Sequence, residues 1–287
     1  MTTRINIDGD LLEPDRAQIP VFDRGFLYGD SVYEVVRTYR GTPFALDRHL
    51  DRLARSADKL ALDLPDRAWL EEQIGRTMAA AGNPDSYIRI IVTRGSGPLT
   101  LDPTAAITPR TVILVQAFEP FPAWMYERGI RVTIPQVRRQ ARAAGETTAK
   151  TGNYLNSVLA LGEAKRRGYD DALLLDTHGR VAEATSANVF IARSEALCTP
   201  AQEAGPLMGV TRGLILEIAH AEGIAVSECE LSPDDLIAAD ELMLTSTLRE
   251  VLPVVSVDER AIGQGRPGPV AKRLLALFRQ RALEMIA

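Results

Sequence analysis

Primary amines are scarce in this sequence: of its 33 basic side chains only Lys59, Lys150, Lys165 and Lys272 are lysines, and all the others are arginines. Chemistry that requires an amine therefore has few candidates. Lys165 sits in the run EAKRRG and reads as part of a solvated helix face. Lys150 differs, because its neighbours Thr147, Thr148, Ala149, Thr151 and Gly152 are small and leave room for a bulky group to approach the amine. Taken alone it reads equally well as a solvated loop lysine. A second chemical signal is EAGPLMGVTRGLILEIA (203–219), where Gly209 precedes an amphipathic helix with Val210 and Thr211 in its first turn. Free backbone N–H groups and the positive end of the helix dipole make such a start an anion site, most often for phosphate, although most helix starts bind nothing. LTSTLRE (244–250) adds the hydroxyls of Ser246 and Thr247 at a strand end, and HLDRL places Arg52 one helical turn from His49. Arginine is well suited to phosphate, but an isolated Arg52 would read as a solvated helix residue.

Several other chemistries lack their signatures. There is no GxGxxG after a strand and no GxxxxGK[ST], so nucleotide binding of either kind is not expected; GSGP at 95–98 is only a fragment and reads as a turn. His49, His178 and His220 form no HxxxH or HExxH pair, no metal is expected, and no GxSxG elbow marks a serine hydrolase. Cys198 and Cys229 are distant and outside any CxxC spacing, which predicts neither a disulfide nor a zinc site and fits a reducing cytoplasm. The opening MTTRINIDGD has no long apolar run, and no stretch of about 18 uninterrupted apolar residues is available to span a bilayer. A net charge of -5 gives no global field for nucleic acid or an anionic membrane, so any bound anion needs a local site. With 46% hydrophobic and 25% charged residues, the 287-residue chain has an ordinary globular composition and a length suited to two domains.

The elements that must position these residues follow from periodicity. RINI and the turn IDGDL predict one hairpin, and SVYEVVRTY (31–39) with Arg40-Gly41 and TPFAL a second. Leu50, Leu53, Ala54, Ala57 and Leu60 mark one helix face, and a second helix is predicted over 66–81, stopped by Gly82-Asn83-Pro84. SYIRIIVTRG (86–95) and RTVILVQAF (110–118) read as strands flanking a long Gly/Pro loop, GSGPLTLDPTAAITP. The prolines of 119–129 suggest an interdomain linker, dividing a small N-terminal domain (1–118) from a large C-terminal one (130–287). In the latter, helices are expected over 153–167, 210–222 and 269–285, with strands at 130–137, 171–176, 188–193, 225–229, 242–246 and 250–257. Hairpins and mixed order predict two α/β or α+β lobes and exclude a single doubly wound parallel sheet.

Taken together the motifs resemble the class IV aminotransferases, the pyridoxal-phosphate enzymes of fold type IV. DRGFLYGDSVYEVVRTYRGTPFALDRHLDRL (23–53), YIR (87–89), KTGNYLNSVLALGEAKRRGYDDALLLD, VAEATSANVF, GVTR and TSTLREVLPV match that family's motifs in order and cover almost the whole chain. The resemblance implies a two-lobed mixed α/β (α+β) fold with pyridoxal 5'-phosphate between the lobes. It implies that Lys150 forms the Schiff base and then carries the proton between Cα and the cofactor, and that Glu183 pairs with the pyridine nitrogen. Arg52, Val210, Thr211, Ser246 and Thr247 would hold the phosphate, and Tyr154 the ring oxygen. On the substrate side it implies Arg37, Tyr87, Arg89 and the amides of Thr247 and Leu248 for the carboxylate, with Tyr28 and Tyr33 lining an apolar pocket. These matches favour a branched-chain L-amino acid as donor and 2-oxoglutarate as acceptor, with side activity on (R)-amines. Val35 stands where branched-chain members usually carry glycine, and YEVV resembles the D-amino-acid and (R)-amine enzymes, so these and aminodeoxychorismate lyase are the alternatives, with a non-catalytic pyridoxal-phosphate carrier as the non-enzyme one. The family also implies a homodimer in which GSGPLTLDPTAAITP is lent to the partner or acts as a lid, and with the cysteine usage above the expected location is cytoplasmic.

Overall fold

The computed structural model describes residues 2–106, 108–139 and 149–286. Its contacts divide into two units, Met1–Glu119 with Ala149–Asn153 and Met285–Ala287, and Pro120–Thr148 with Tyr154–Glu284. The chain-order division expected from the linker places 149–153 with the C-terminal part; the contacts group this segment with the first unit.

The first unit contains β1 (Arg4–Ile7), β2 (Asp10–Leu12), α1 (Arg24–Tyr28), β3 (Ser31–Tyr39), β4 (Thr42–Pro43), α2 (Leu46–Lys59), α3 (Arg67–Ala81), β5 (Ser86–Thr93) and β6 (Arg110–Ala117). Its six strands form one antiparallel sheet in the order β2-β1-β6-β5-β3-β4. Strand side chains alternate between faces. Val32 and Val36 of β3, Ile88, Ile90 and Val92 of β5, and Ile113 and Val115 of β6 pack with Leu50, Leu53, Ala57, Leu70 and Ile74 of the two long helices. The opposite face of β3 carries Tyr33, Val35 and Arg37, directly across from Ile91, Arg89 and Tyr87. Helix α3 is bounded as its sequence predicts: Asp66 accepts the N–H groups of Ala68 and Trp69, and Gly82 closes the C-terminus with φ +61°.

The second unit contains α4 (Ala123–Arg128), β7 (Ile130–Thr133), α5 (Leu155–Arg166), β8 (Asp171–Leu175), β9 (Val181–Ala184), β10 (Asn188–Arg193) and β11 (Ala196–Pro200), then α6 (Val210–Ala221), β12 (Val226–Cys229), α7 (Pro233–Ile237), β13 (Glu241–Ser246), β14 (Glu250–Val257), β15 (Arg260–Ala261) and α8 (Pro269–Glu284). The nine strands run β12-β11-β10-β13-β14-β7-β8-β9, with β15 added to β14. Pairs β11/β12, β14/β7 and β7/β8 are parallel and the others antiparallel. A core of Val189, Ile191, Leu242, Leu244, Leu252 and Val254 lies on one face of the central strands. Helix α4 occupies part of the stretch expected to be a linker.

One expectation is overturned. Cys198 and Cys229 form a disulfide, with their Cα atoms 6.4 Å apart. They lie on β11 and β12, where Cys198 is aligned with Ser227 and Cys229 with Pro200. The crossover through α6 brings distant cysteines onto adjacent parallel strands, an adjacency that linear spacing does not contain. With both cysteines paired, cysteine usage no longer points to a reducing compartment. Among the described residues no helix is long and apolar enough to cross a membrane, and no cluster could hold a metal ion.

Candidate active site

In the first unit the segment around Lys150 is added to the edge of β3. Strand β4 pairs only with Thr38 and Tyr39, so the start of β3 has an edge to offer. Thr151 forms a bridge with Val32, Tyr33 donates its N–H to the Lys150 carbonyl at 3.0 Å, and Gly152 donates to the Ser31 carbonyl at 3.0 Å. A Cβ at position 152 would collide with the Ser31 hydroxyl, which explains glycine there. The Lys150 N–H donates to Ser56 Oγ of α2 at 3.0 Å. Its Nζ lies 4.4 Å from the centroid of the Tyr33 ring, and the Arg89 guanidinium lies 4.6 Å from the same centroid. The π-face of Tyr33 is attractive to cations and so gathers both. Thr147 and Thr148, read as neighbours of the amine, lie outside the described residues, as does Ile107 of the long loop.

Arg52 is almost buried and bound to a residue whose role sequence reading missed. Its Nε and Nη2 donate to Glu34 Oε1 and Oε2, each at 2.7 Å, and Glu34 Oε2 is also 2.7 Å from His49 Nδ1. Glu34 alternates onto the helix-facing side of β3, opposite to Tyr33. Burial raises the Glu34 pKa, but the Arg52 charge and the hydrogen bonds from Arg52 and His49 outweigh it and hold the carboxyl at about 2. For His49, burial is the main effect and pushes the pKa down; Glu34 opposes it, while the charges of Arg52 and Lys150 add to the lowering. The imidazole is therefore neutral at neutral pH, with its proton assigned to Nδ1 by the Glu34 acceptor. His49 Nε2 is buried without a hydrogen-bond partner among the described residues.

Arg37, Tyr87 and Arg89, expected on the substrate side, share the sheet face defined by Tyr33. Arg37 is stacked between the rings of Tyr39 and Phe118, with its guanidinium carbon 4.0 Å from each centroid, which fixes the plane in which it can meet an anion. Tyr87 lies directly across from Arg37 in the sheet register. Tyr28 ends α1 and lies under the Arg24 guanidinium at 5.0 Å. Arg24 also donates to Asp30 Oδ2 at 3.0 Å and to the Thr100 carbonyl at 2.7 Å, so the loop after β5 is fastened at that point.

The second unit holds the remaining residues. Glu183 on β9 makes an ion pair with Arg139, and its Oε2 accepts the Leu207 N–H at 2.7 Å. Arg139 Nε donates to the Gly205 carbonyl at 2.8 Å, and Asn188 Nδ2 to the Leu207 carbonyl at 2.6 Å. Glu183, Arg139 and Asn188 thus fix the chain leading into α6. Gly209 is the N-cap of α6 and has no capping side chain; a Cβ there would collide with Asn188 Oδ1. The Thr211 hydroxyl, in the first turn, is buried and has no hydrogen-bond partner among the described residues, and the same holds for Thr245 on β13. Val210 opens the same helix. Ser246 ends β13 and accepts the Arg249 N–H at 3.3 Å, while Thr247 and Leu248 form the turn into β14. Tyr154 is the N-cap residue of α5, and its carbonyl accepts the Val158 N–H. Arg139, Asn188 and Thr245 were missed by sequence reading, since each looks like an ordinary strand or loop residue until the partners are known.

The Amino-transferase class IV family matches residues 31–257. A Methanocaldococcus jannaschii protein described as a putative branched-chain-amino-acid aminotransferase is 39% identical over 277 residues, covering 96% of this chain and 95% of that one. The Bacillus licheniformis D-alanine aminotransferase is 30% identical, covering 99% of each. Among solved structures, Escherichia coli branched-chain amino acid aminotransferase superposes with a TM-score of 0.94 at 30% identity, covering 100% of this chain and 97% of that one. A T.th. branched-chain amino acid aminotransferase with pyridoxamine 5'-phosphate gives 0.93 at 30% identity, covering 99% and 95%. Pseudomonas aeruginosa 4-amino-4-deoxychorismate lyase gives 0.85 at 30% identity, covering 96% and 98%. The chain belongs to the class IV aminotransferase family and has the fold of its type IV members.

Proposed function

We propose that this aminotransferase carries pyridoxal 5'-phosphate on Lys150 and moves an amino group between a branched-chain L-amino acid and a 2-oxo acid such as 2-oxoglutarate. The observation that carries the reading is the Lys150 amine held over the Tyr33 ring by a segment bonded to both β3 and α2. The residues present fit the group: an uncapped helix start and the unpartnered, buried Thr211 hydroxyl are suited to phosphate oxygens. When bound, the cofactor supplies an aldehyde that reacts with amines and a ring that accepts electrons released at the substrate Cα. Lys150 offers its amine as the anchor and, once released, takes and returns the Cα proton at Nζ. Glu183, oriented by Arg139 and Leu207, offers a carboxylate to the ring N–H. Val210 and Thr211 offer backbone N–H groups, and Thr211, Ser246, Thr247 and Arg52 further donors, to the phosphate, while Tyr154 offers its phenol to the ring oxygen. Arg37, Tyr87, Arg89 and the amides of Thr247 and Leu248 orient the substrate carboxylate, and Tyr28 and Tyr33 exclude water from its side chain.

A homodimer is proposed with it. Leu155, Val158 and Leu159 expose an apolar row along α5, and Leu99 and Leu101 are exposed on the loop that Arg24 fastens. This loop is the segment proposed to reach the partner, and a solution mass of two chains is expected.

A second reading, transamination of D-amino acids or (R)-amines, is favoured by Val35, which stands directly across from Arg89 on the substrate-side face. Mixing the yellow protein with single donors separates the two. L-Leucine is expected to bleach the visible band while D-alanine and (R)-1-phenylethylamine leave it largely unchanged; the reverse order would reject the branched-chain assignment. A carrier would stay yellow with every donor.

A further inference from the structure

We propose that Ser56 is a positioning residue for Lys150, a role that rests on Lys150 being the cofactor lysine. Ser56 lies on α2, one turn after Arg52, and is buried. Its hydroxyl donates to the Arg52 carbonyl at 2.8 Å. That commits the hydroxyl proton along the helix, so the oxygen faces Lys150 as an acceptor and receives its N–H at 3.0 Å. The Lys150 carbonyl is held from the other side by the Tyr33 N–H at 3.0 Å. Both backbone polar groups of the lysine are therefore fixed, one by a helix and one by a strand. The helix is itself held in place, because Arg52, whose carbonyl Ser56 uses, is clamped by Glu34 on β3. A lysine side chain is long and flexible, and the position of its amine over Tyr33 is only as well defined as its Cα. Ser56 supplies one of the bonds that define it.

The test compares wild type with Ser56→Ala and Ser56→Thr, using pyridoxal phosphate as the probe. Loss of one well-made hydrogen bond is worth about tenfold in an equilibrium constant. Ser56→Ala is expected to lower the folding constant of the cofactor-free protein by about that factor, because the bond is already present there, and also to weaken cofactor binding, to shift the pH midpoint of the visible band of the loaded protein and to speed amide exchange at Lys150. Ser56→Thr keeps the hydroxyl and is expected to restore the visible-band midpoint. Unchanged affinity, midpoint and exchange in Ser56→Ala would overturn the proposal while leaving the lysine assignment intact. If Ser56→Ala does not fold, the wild type still decides: a Lys150 amide exchanging as fast as an unstructured peptide would overturn it. If wild type binds the cofactor but borohydride fixes none on Lys150, the functional reading fails; fast Lys150 exchange with normal fixation sinks only the role of Ser56.

Discussion

The two units arrange their polar side chains differently. In the first, Glu34 takes two of the Arg52 nitrogens and the His49 ring, and the Lys150 backbone is bonded on both sides. In the second, Glu183, Arg139 and Asn188 shape the approach to α6, yet the helix start is uncapped and the Thr211 hydroxyl is buried without a partner among the described residues. A network of paired charges holds its side chains in one place, whereas a buried donor without a protein partner is suited to receiving a ligand. Under the function proposed above the first arrangement would pre-organise and the second would recognise, and substitutions should reveal the difference.

The largest effect is expected at the Glu34 network. Glu34→Gln leaves the Arg52 charge buried without its counterion, and breaking such a pair costs about 3–5 kcal/mol. Thermal and denaturant unfolding check this; a loss within measurement error would show the network to be dispensable. The same carboxyl gives a pH dependence. Its folded pKa is about 2, below the 4.5 of an unperturbed glutamate, so its contribution is fully present above the unfolded value and is lost as pH falls from there through the folded one. Acid titration of stability should therefore be steeper over that interval in wild type than in Glu34→Gln.

In the second unit, reducing the Cys198–Cys229 disulfide or replacing both cysteines by serine should cost about 2–4 kcal/mol, since it frees the crossover containing α6. Urea unfolding with and without reductant measures it; identical curves would show that the crossover is held by packing alone. The smallest and most discriminating effect is at Thr211. Thr211→Val removes a hydroxyl that satisfies nothing within the described protein, so stability should hold or rise slightly, while pyridoxal-phosphate affinity should fall by about tenfold. A large loss of stability with unchanged affinity would reverse the contrast between the two units.

Local chemistry made much of this legible in the sequence. Asp66 and Gly82 bracket α3, β-branched alternation marks β3 and β5, and Gly209 announces α6. Strand β9 was missed because VAEA is short and does not alternate in polarity. What stayed hidden depends on chain segments meeting at a distance. Glu34 reads as one polar residue in a strand until α2 brings His49 and Arg52 to it. Ser56 reads as a helix residue until Lys150 returns to β3 nearly a hundred residues later. Arg139 is one among many arginines, and the cysteines become neighbours only through a parallel crossover.

The central claim is that Lys150 is the residue on which the cofactor is carried. Reducing the yellow protein with borohydride, digesting it and locating the phosphopyridoxyl mass addition tests this most directly. The addition is expected on the peptide containing Lys150 and is expected to vanish in Lys150→Ala. An addition on Lys59, Lys165 or Lys272, or a protein that takes up no pyridoxal phosphate, would contradict it.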